Sequence, residues 1–348
     1  MADYTLHLGD CLDVMRTMDA NSVDLIATDP PYFKVKGEAW DRQWDTPKAF
    51  LAWLDTVLTE MERILKPNGS LYLFASPKMA ARVEVLIGGR FNVLNSITWR
   101  KHDGTYNEGG LWSRANKESL RRFFEQKEQI IFAEHYGADN IAKGEAGYGA
   151  KCDELRGFVF EPLRAYLDGE RQRAGVSMRQ VAEQFQRKTG SRTVTGMAGH
   201  WFTSVQWTLP TAANYQWLRS TLSNLNHGGE YLTREYEELR TEYEELRRPF
   251  SVTADVPYTD VWTFPTVQGY QGKHPCEKPV SLMRHIVASS SRAGGAVLDP
   301  FMGSGTTGIA ALQEGRSFVG IELHADYYAI AEKRIANVTV QPELEAVR

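Results

Sequence analysis

Apolar and polar positions along this chain follow two periods, and the switches between them mark its elements. Tyr4-Thr5-Leu6-His7-Leu8 alternates and predicts a short strand ended by Gly9-Asp10-Cys11. Leu12 to Met18 predicts a helix and Asp19-Ala20-Asn21-Ser22 a turn. Val23 to Thr28 is an apolar run, read as a buried strand that delivers Asp29. Phe33 to Thr46 is polar but carries Trp40 and Trp44, and reads as a mobile loop. Pro47 to Leu65 places Phe50, Leu54, Val57, Leu58, Met61 and Leu65 on one helical face, and Pro67-Asn68-Gly69 stops it. Ser70 to Ala75 predicts a strand, Pro77 to Ile87 a helix and Val93 to Trp99 a strand. This order, β-α-β-α-β-α-β, is the signature of a parallel sheet covered by helices.

The period then changes. Arg100 to Arg122 is a polar loop rich in Lys and Arg, and Gln129 to Ala133 is a further strand. From Glu161 to about Leu225 only helical segments are visible. Ser177-Met178-Arg179-Gln180 is a capping box opening a helix to about Lys188. After Thr189-Gly190-Ser191, Val194 to Phe202 predicts another short helix, and the pair resembles a helix-turn-helix. Arg234 to Arg247 repeats with a period of seven, setting Tyr236, Leu239, Tyr243 and Leu246 on one face. Two heptads make a helical strut, not a coiled coil. The tail returns to α/β, with an extended run at Asp260 to Phe264 and a helix over Val280 to Ser290. A strand over Ala296 to Leu298 delivers Asp299. A helix from Thr306 to Leu312, a strand from Ser317 to Ile321 and a final helix over about Ala325 to Asn337 complete it.

Composition narrows the class. With 348 residues, 42% hydrophobic and 24% charged, the chain can bury a large core. Its formal charge is −4, so any nucleic acid must meet a local basic patch. Between Glu161 and Trp207 seven Lys/Arg face four acids, a local excess of three, which an ordinary solvated helical insert would explain equally well. Cys11, Cys152 and Cys276 are scattered, with no disulfide or zinc spacing, and no metal site is expected. No basic-then-apolar leader and no bilayer-length apolar run is visible, so a cytoplasmic protein without membrane contact is expected.

Two stretches carry the chemistry. Asp29-Pro30-Pro31-Tyr32 follows a buried strand and offers a carboxylate, carbonyls held rigid by proline, and an aromatic face. An exocyclic amino group needs two acceptors to draw its lone pair out of ring conjugation, and a base must leave the duplex to be reached. Alone, the tetrapeptide reads more readily as a proline turn. Asp299-Pro300-Phe301-Met302-Gly303-Ser304-Gly305-Thr306-Thr307 also follows a strand, and its glycines permit positive φ and close approach. The helix N-terminus at Thr306 and Thr307 favours an anionic group. Glu322, ending the next strand, can hold ribose hydroxyls. The absence of Gly-Lys-Ser/Thr excludes a P-loop.

Together the two motifs resemble the β-type amino-group DNA methyltransferases that use S-adenosylmethionine, of bacterial and prophage type. Gly9-Asp10-Cys11, Asp24-Leu25-Ile26, His274-Pro275-Cys276-Glu277-Lys278-Pro279 and Phe318-Val319-Gly320-Ile321-Glu322 are similar to further family segments. The resemblance covers roughly residues 3–135 and 255–340. It implies an α/β, Rossmann-like fold in circularly permuted motif order with a helical target-recognition insert. The expected halves are a catalytic one over 1–150 and a cofactor one over 251–348, around an insert over 151–250. By resemblance, Asp29 and the Pro30 carbonyl accept from the target amino group, Pro31 stiffens the loop, and Tyr32 stacks on the base, with Phe33 as a further wall. Asp299, Phe301, Gly303, Ser304, Gly305, Thr306 and Thr307 wrap the methionine end of the cofactor. Glu322 holds its ribose, Asp10 and Cys11 line its adenine pocket, and His274 and Lys278 face its carboxylate. Arg179, Arg187, Lys188 and Arg192 are expected to meet double-stranded DNA. Asp at the first motif position favours adenine N6 over cytosine N4, for which Ser is more usual. A homodimer is implied; a restriction endonuclease partner is not readable. A degenerate DNA-binding protein and an RNA methylase are the alternatives from other classes. A Pro275-Cys276 nucleophile of the cytosine C5 type is rejected, because it precedes the cofactor strand.

Overall fold

The computed structural model describes residues 3–34, 42–101, 121, 126–136, 159–192, 196–204, 207–252, 258–268 and 276–338. The chain divides into two compact units, residues 1–135 with 249–348, and residues 136–248.

The first unit is built on β1 (Tyr4–Leu8), α1 (Cys11–Thr17), β2 (Val23–Thr28), α2 (Pro47–Ile64), β3 (Leu65–Ala75), α3 (Ala80–Gly88), β4 (Asn92–Arg100) and β5 (Lys127–Glu134). Its remaining elements are β6 (Val261–Thr263), α8 (Val280–Ser290), β7 (Ala296–Asp299), α9 (Thr306–Gln313), β8 (Ser317–Glu322) and α10 (Ala325–Ala336). Local chemistry starts the helices. Asp10 caps α1 through Leu12 N at 2.9 Å. Thr46 caps α2 through Ala49 N at 3.1 Å, with Pro47 in the first turn, where its missing N–H costs nothing. The α2 stripe Phe50, Leu54, Val57, Leu58 and Met61 is fully packed, as its period required.

The eight strands run in the order β1-β8-β7-β2-β3-β5-β4-β6. Both sheet faces are covered, and side chains alternate between two cores. Leu71, Leu73, Ile131 and Ala133 enter one; Tyr72, Phe74, Ile130 and Phe132 enter the other.

Four expectations need correction. The sheet is not wholly parallel: β5 lies antiparallel between β3 and β4, pairing Ile131 with Leu73 and with Ser96. An apolar run buried on both faces carries no mark of its direction. Second, β3 begins at Leu65, not Ser70. Its register to β2 shifts between Val23 and Leu25, and the Lys66–Gly69 bulge is absorbed within the strand. Third, Trp44, expected in a mobile loop, is buried against Phe50 and Trp53 at ring distances of 5.1 and 4.5 Å. Residues 35–41, including Trp40, lie outside the described residues.

The second unit is helical: α4 (Glu161–Arg173), α5 (Met178–Thr189), α6 (Ala212–Leu225) and α7 (Tyr236–Leu246). Its core gathers Phe160, Leu163, Val181, Phe185, Trp201 and Tyr215. Ser177 and Gln180 close the capping box, and Gly190 ends α5 at φ 67°. The fourth correction falls here. The second helix expected over Val194 to Phe202 is a 3-10 helix, Gly196–Trp201. Gly196 and Gly199 disfavour α-helix, and Trp201 and Phe202 are drawn into the core. The heptad face of α7 packs inward through Leu239, with Tyr236, Tyr243 and Leu246 against the same core.

Candidate active site

Parallel strands deliver their following loops to one edge. Because β1, β8, β7 and β2 are successive neighbours, the loops after all four stand side by side. They carry Gly9-Asp10-Cys11, Glu322-Leu323-His324, Pro300 to Gly305, and Asp29 to Tyr32. Backbone bonds tie them: Gly9 N to Glu322 O at 2.9 Å and Met302 N to Ile321 O at 3.0 Å.

These loops enclose a cavity of about 850 Å³, open solvent at its mouth included. Asp10, Cys11, Asp29, Pro30, Pro31, Tyr32, Phe301 and Glu322 all line it, together with Trp53, His324 and Tyr327. A smaller adjoining cavity is lined by Asp29, Lys278, Asp299, Gly303, Ser304, Thr306 and Thr307. Asp29 and Cys276 belong to both. Gly305 lines neither. At φ 80°, a Cβ there would stand 2.9 Å from Ile335 Cδ1 and 3.0 Å from Ala331 Cβ, so its smallness serves the seating of α10. His274 lies outside the described residues.

Each acid has a distinct setting. Asp299 is buried, and its carboxylate accepts from Thr28 Oγ1 at 2.7 Å, Thr307 Oγ1 at 2.6 Å and Phe301 N at 3.1 Å. Burial outweighs these bonds and pushes it up to about 6. Its first work is therefore to shape the glycine loop. Glu322 accepts from Gly303 N at 3.0 Å on one oxygen and from His324 N at 2.8 Å on the other, and burial raises it. Each oxygen keeps a second lone pair for a ligand hydroxyl. Burial pushes the Cys11 thiol up to about 12, so it lines the cavity as a neutral group.

Asp29 Oδ2 pairs with the buried Lys278 ammonium. Asp29 Oδ1 is buried and has no hydrogen-bond partner among the described residues. Lys278 also reaches Glu128 Oε2 at 3.3 Å. The Tyr32 hydroxyl donates to the same oxygen at 3.2 Å, and Lys101 Nζ donates to Glu128 Oε1 at 2.6 Å. The rings of Phe74, Tyr32 and Trp99 surround Lys278 Nζ at 5.0, 5.5 and 5.8 Å from their centroids. Burial drives Asp29 above the usual carboxylate range, against the pull of Lys278. Burial opposes the charge of Glu128 too, but Lys278 and Lys101 together hold it below that range.

Sequence reasoning missed Glu128, Lys101, Trp53, His324 and Tyr327. The antiparallel direction of β5 is what brings Glu128, near its start, to the edge where the parallel strands end; Glu128 pairs with Trp99 there. His324 and Tyr327 follow directly on Glu322 and could have been found from the motif. The expected basic residues lie in the other unit, all exposed. Arg179 pairs with Glu183 at 2.9 Å, and Lys188 donates to Asn214 at 2.8 Å over the Trp217 ring.

Fold and site together define a Rossmann-like methyltransferase. A family model described as DNA methylase, of the N6/N4 amino-methyltransferase type, matches residues 23–333. The chain is 24% identical to a DNA adenine methyltransferase, YhdJ, of Escherichia coli K12 over 339 residues, 95% of this chain and 82% of that protein. It is also 24% identical to the type II methyltransferase M.HinfI of Haemophilus influenzae, over 97% of this chain and 70% of that one. Among solved structures, the cytosine-N4-specific PvuII DNA methyltransferase aligns with a TM-score of 0.53 at 12% identity, over 98% of this chain and 89% of that one. The chain belongs to the N6/N4 DNA methylase family. The methyl donor of this family is S-adenosylmethionine. The residues present suit it: an acid with spare lone pairs at Glu322, aromatic walls at Trp53 and Phe301, and buried oxygens at Asp29 Oδ1 and Thr306 Oγ1 that have no hydrogen-bond partner among the described residues. No helix among the described residues is long and apolar enough to cross a membrane.

Proposed function

We propose that the chain methylates adenine N6 in double-stranded DNA, on a base turned out of the helix. The observation that carries this reading is Asp29 Oδ1, a buried acceptor without a partner among the described residues at the wall of the cavity, two residues before the Pro31–Tyr32 peptide that brings the ring beside it. The target amino group donates to Oδ1, while Lys278 keeps Oδ2 occupied and the carboxylate oriented. The Pro30 carbonyl is the second acceptor. With both hydrogens held, the nitrogen lone pair turns out of conjugation. Tyr32, tethered through its hydroxyl, offers its ring for stacking, worth about 1–3 kcal/mol per base. S-adenosylmethionine, when bound, supplies the electrophilic methyl group; Glu322, Asp10, Cys11 and Phe301 are proposed to hold it, with Gly303, Ser304, Thr306, Thr307 and Lys278 on its amino-acid side. Much of the rate comes from holding the two reactants together.

Adenine is favoured by Asp at the first motif position and by the activity named for the Escherichia coli relative. The test is digestion of DNA from a methylation-free host after incubation with protein and S-adenosylmethionine, followed by nucleoside mass spectrometry. N6-methyladenine is expected, and none from Asp29→Ala. N4-methylcytosine would transfer the mechanism to the other base, and activity in Asp29→Ala would end the proposal. Residues 151–250 are proposed to read the target sequence. A cytoplasmic homodimer is proposed on family likeness; a monomer by light scattering would count against it.

A further inference from the structure

We propose that Glu128 is a positioning residue for methyl transfer. It anchors the Tyr32 hydroxyl and shares Lys278 with Asp29, so that Asp29 meets the target amine with its charge only partly compensated. The inference rests on reading Asp29 to Tyr32 as the base-binding loop.

The geometry is more than a buried ion pair needs. Lys278 and Asp29 alone would neutralise each other. A second buried carboxylate on the same ammonium adds a desolvation cost, and here it requires a further cation, Lys101, at 2.6 Å. One oxygen, Glu128 Oε2, receives both Lys278 at 3.3 Å and Tyr32 at 3.2 Å. The stacking ring and the amine acceptor are thereby tied to one atom. Among the described residues, the titratable and charged groups acting on Asp29 are Lys278 before α8, Glu128 on β5, Tyr32 on its own loop, and Asp299 at the end of β7. Cys276 lines the same two cavities as Asp29. Lys101, following β4, acts through Glu128. Lys278 strengthens the charged form of Asp29, and Glu128 opposes it. An acid that opposes compensation keeps the Asp29 oxygens electron-rich, as acceptors of the amine hydrogens must be.

Two variants test this with opposite signs. The measurement is the single-turnover methylation rate at saturating DNA and S-adenosylmethionine between pH 5 and 9, with cofactor affinity by titration calorimetry. Activity needs ionised Asp29, so its acidic limb follows that carboxyl. Glu128→Gln removes a negative neighbour. The limb should move to lower pH, with the plateau rate down about tenfold through looser placement of Tyr32, while Asp29 still holds Lys278. Lys101→Met leaves the Glu128 carboxylate to draw Lys278 away from Asp29, so Asp29 is less compensated and the limb should move to higher pH. Cofactor affinity should stay within about twofold in both, as neither residue lines the cavity of Glu322. A purely structural role would lower stability or rate without moving the limb in opposite directions. Unmoved limbs, or limbs moved the same way, with a wild-type enzyme that methylates DNA, would overturn the role of Glu128 alone. A wild-type enzyme that transfers no methyl group would overturn the base-binding reading and the inference with it. If Glu128→Gln fails to fold, Lys101→Met decides. Its side chain is 29% exposed, and its ion pair is with Glu128.

Discussion

Asp299→Asn should change how stability depends on pH. The Asp299 carboxyl lies inside the glycine loop, bonded by Thr28, Thr307 and Phe301 N. Burial nevertheless lifts it from 3.8 to about 6. At about 1.36 kcal/mol per pH unit, that rise corresponds to about 3 kcal/mol. The sign follows from proton binding. Below pH 4 the carboxyl is protonated in both folded and unfolded chains and the cost is absent. Between pH 4 and 6 the folded state holds a proton that the unfolded state has released. Above pH 6 both are ionised, and the folded state bears the whole cost. Stability from this group is therefore present at low pH and lost as pH rises through 4 to 6. The amide of the variant does not ionise and carries no such cost. The variant does lose one charged acceptor for the two hydroxyls, a pH-independent cost of about 1 kcal/mol. The assay is urea unfolding of both proteins, without cofactor, from pH 4 to 7.5. Wild-type minus variant stability should fall by about 3 kcal/mol across that range. A constant difference would mean that Asp299 is not burdened by burial. A difference that grows with pH would mean that its three donors more than offset desolvation.

Other perturbations probe separate parts of the chain. Gly305→Ala forces an L-residue to φ 80° and drives a methyl group to 3.0 Å from Ala331 Cβ. Stability should drop by about 2 kcal/mol, and an unchanged urea midpoint would show that α10 yields at no cost. Glu322→Gln keeps the size of the side chain but loses its charge and turns one of its two acceptor oxygens, each of which takes a backbone N–H, into an NH2 donor. S-adenosylmethionine affinity should fall about tenfold by calorimetry, and a Kd within twofold of wild type would remove Glu322 from the ribose role. Arg187→Ala with Arg192→Ala should lower the slope of log affinity for duplex DNA against log salt by about 2. An unchanged slope would clear that face of phosphate contacts.

Local signals make much of the candidate site legible in the amino-acid sequence. A buried strand ending in Asp-Pro-Pro-Tyr, another ending in a glycine turn, and a third ending in Glu are each written in consecutive residues. Proline and glycine fix the turn directly after the strand, so Asp29, Gly303 and Glu322 could be placed at strand ends from sequence. The caps at Asp10, Thr46 and Ser177 are equally local, since each side chain reaches a backbone N–H within three residues.

Direction and partner choice were decided only by the tertiary structure. Residues 127–134 read the same whether β5 runs up or down, because both of its faces are buried and no alternation marks an outside. Its antiparallel insertion between β3 and β4 is what carries Glu128 to the edge where β2 and β7 end. Lys278 and Asp29 are separated by 249 positions, and the bond between them exists only because the sheet folds both segments onto one edge. Asp299 likewise spends its carboxylate on Thr28, 271 positions away, since β2 and β7 are neighbours. Sequence therefore determined which groups sit at strand ends, because strands and turns are set by interactions over a few residues. The fold decided which of those groups share a proton, an ion pair or an unpartnered oxygen, because such contacts depend on strand order and direction.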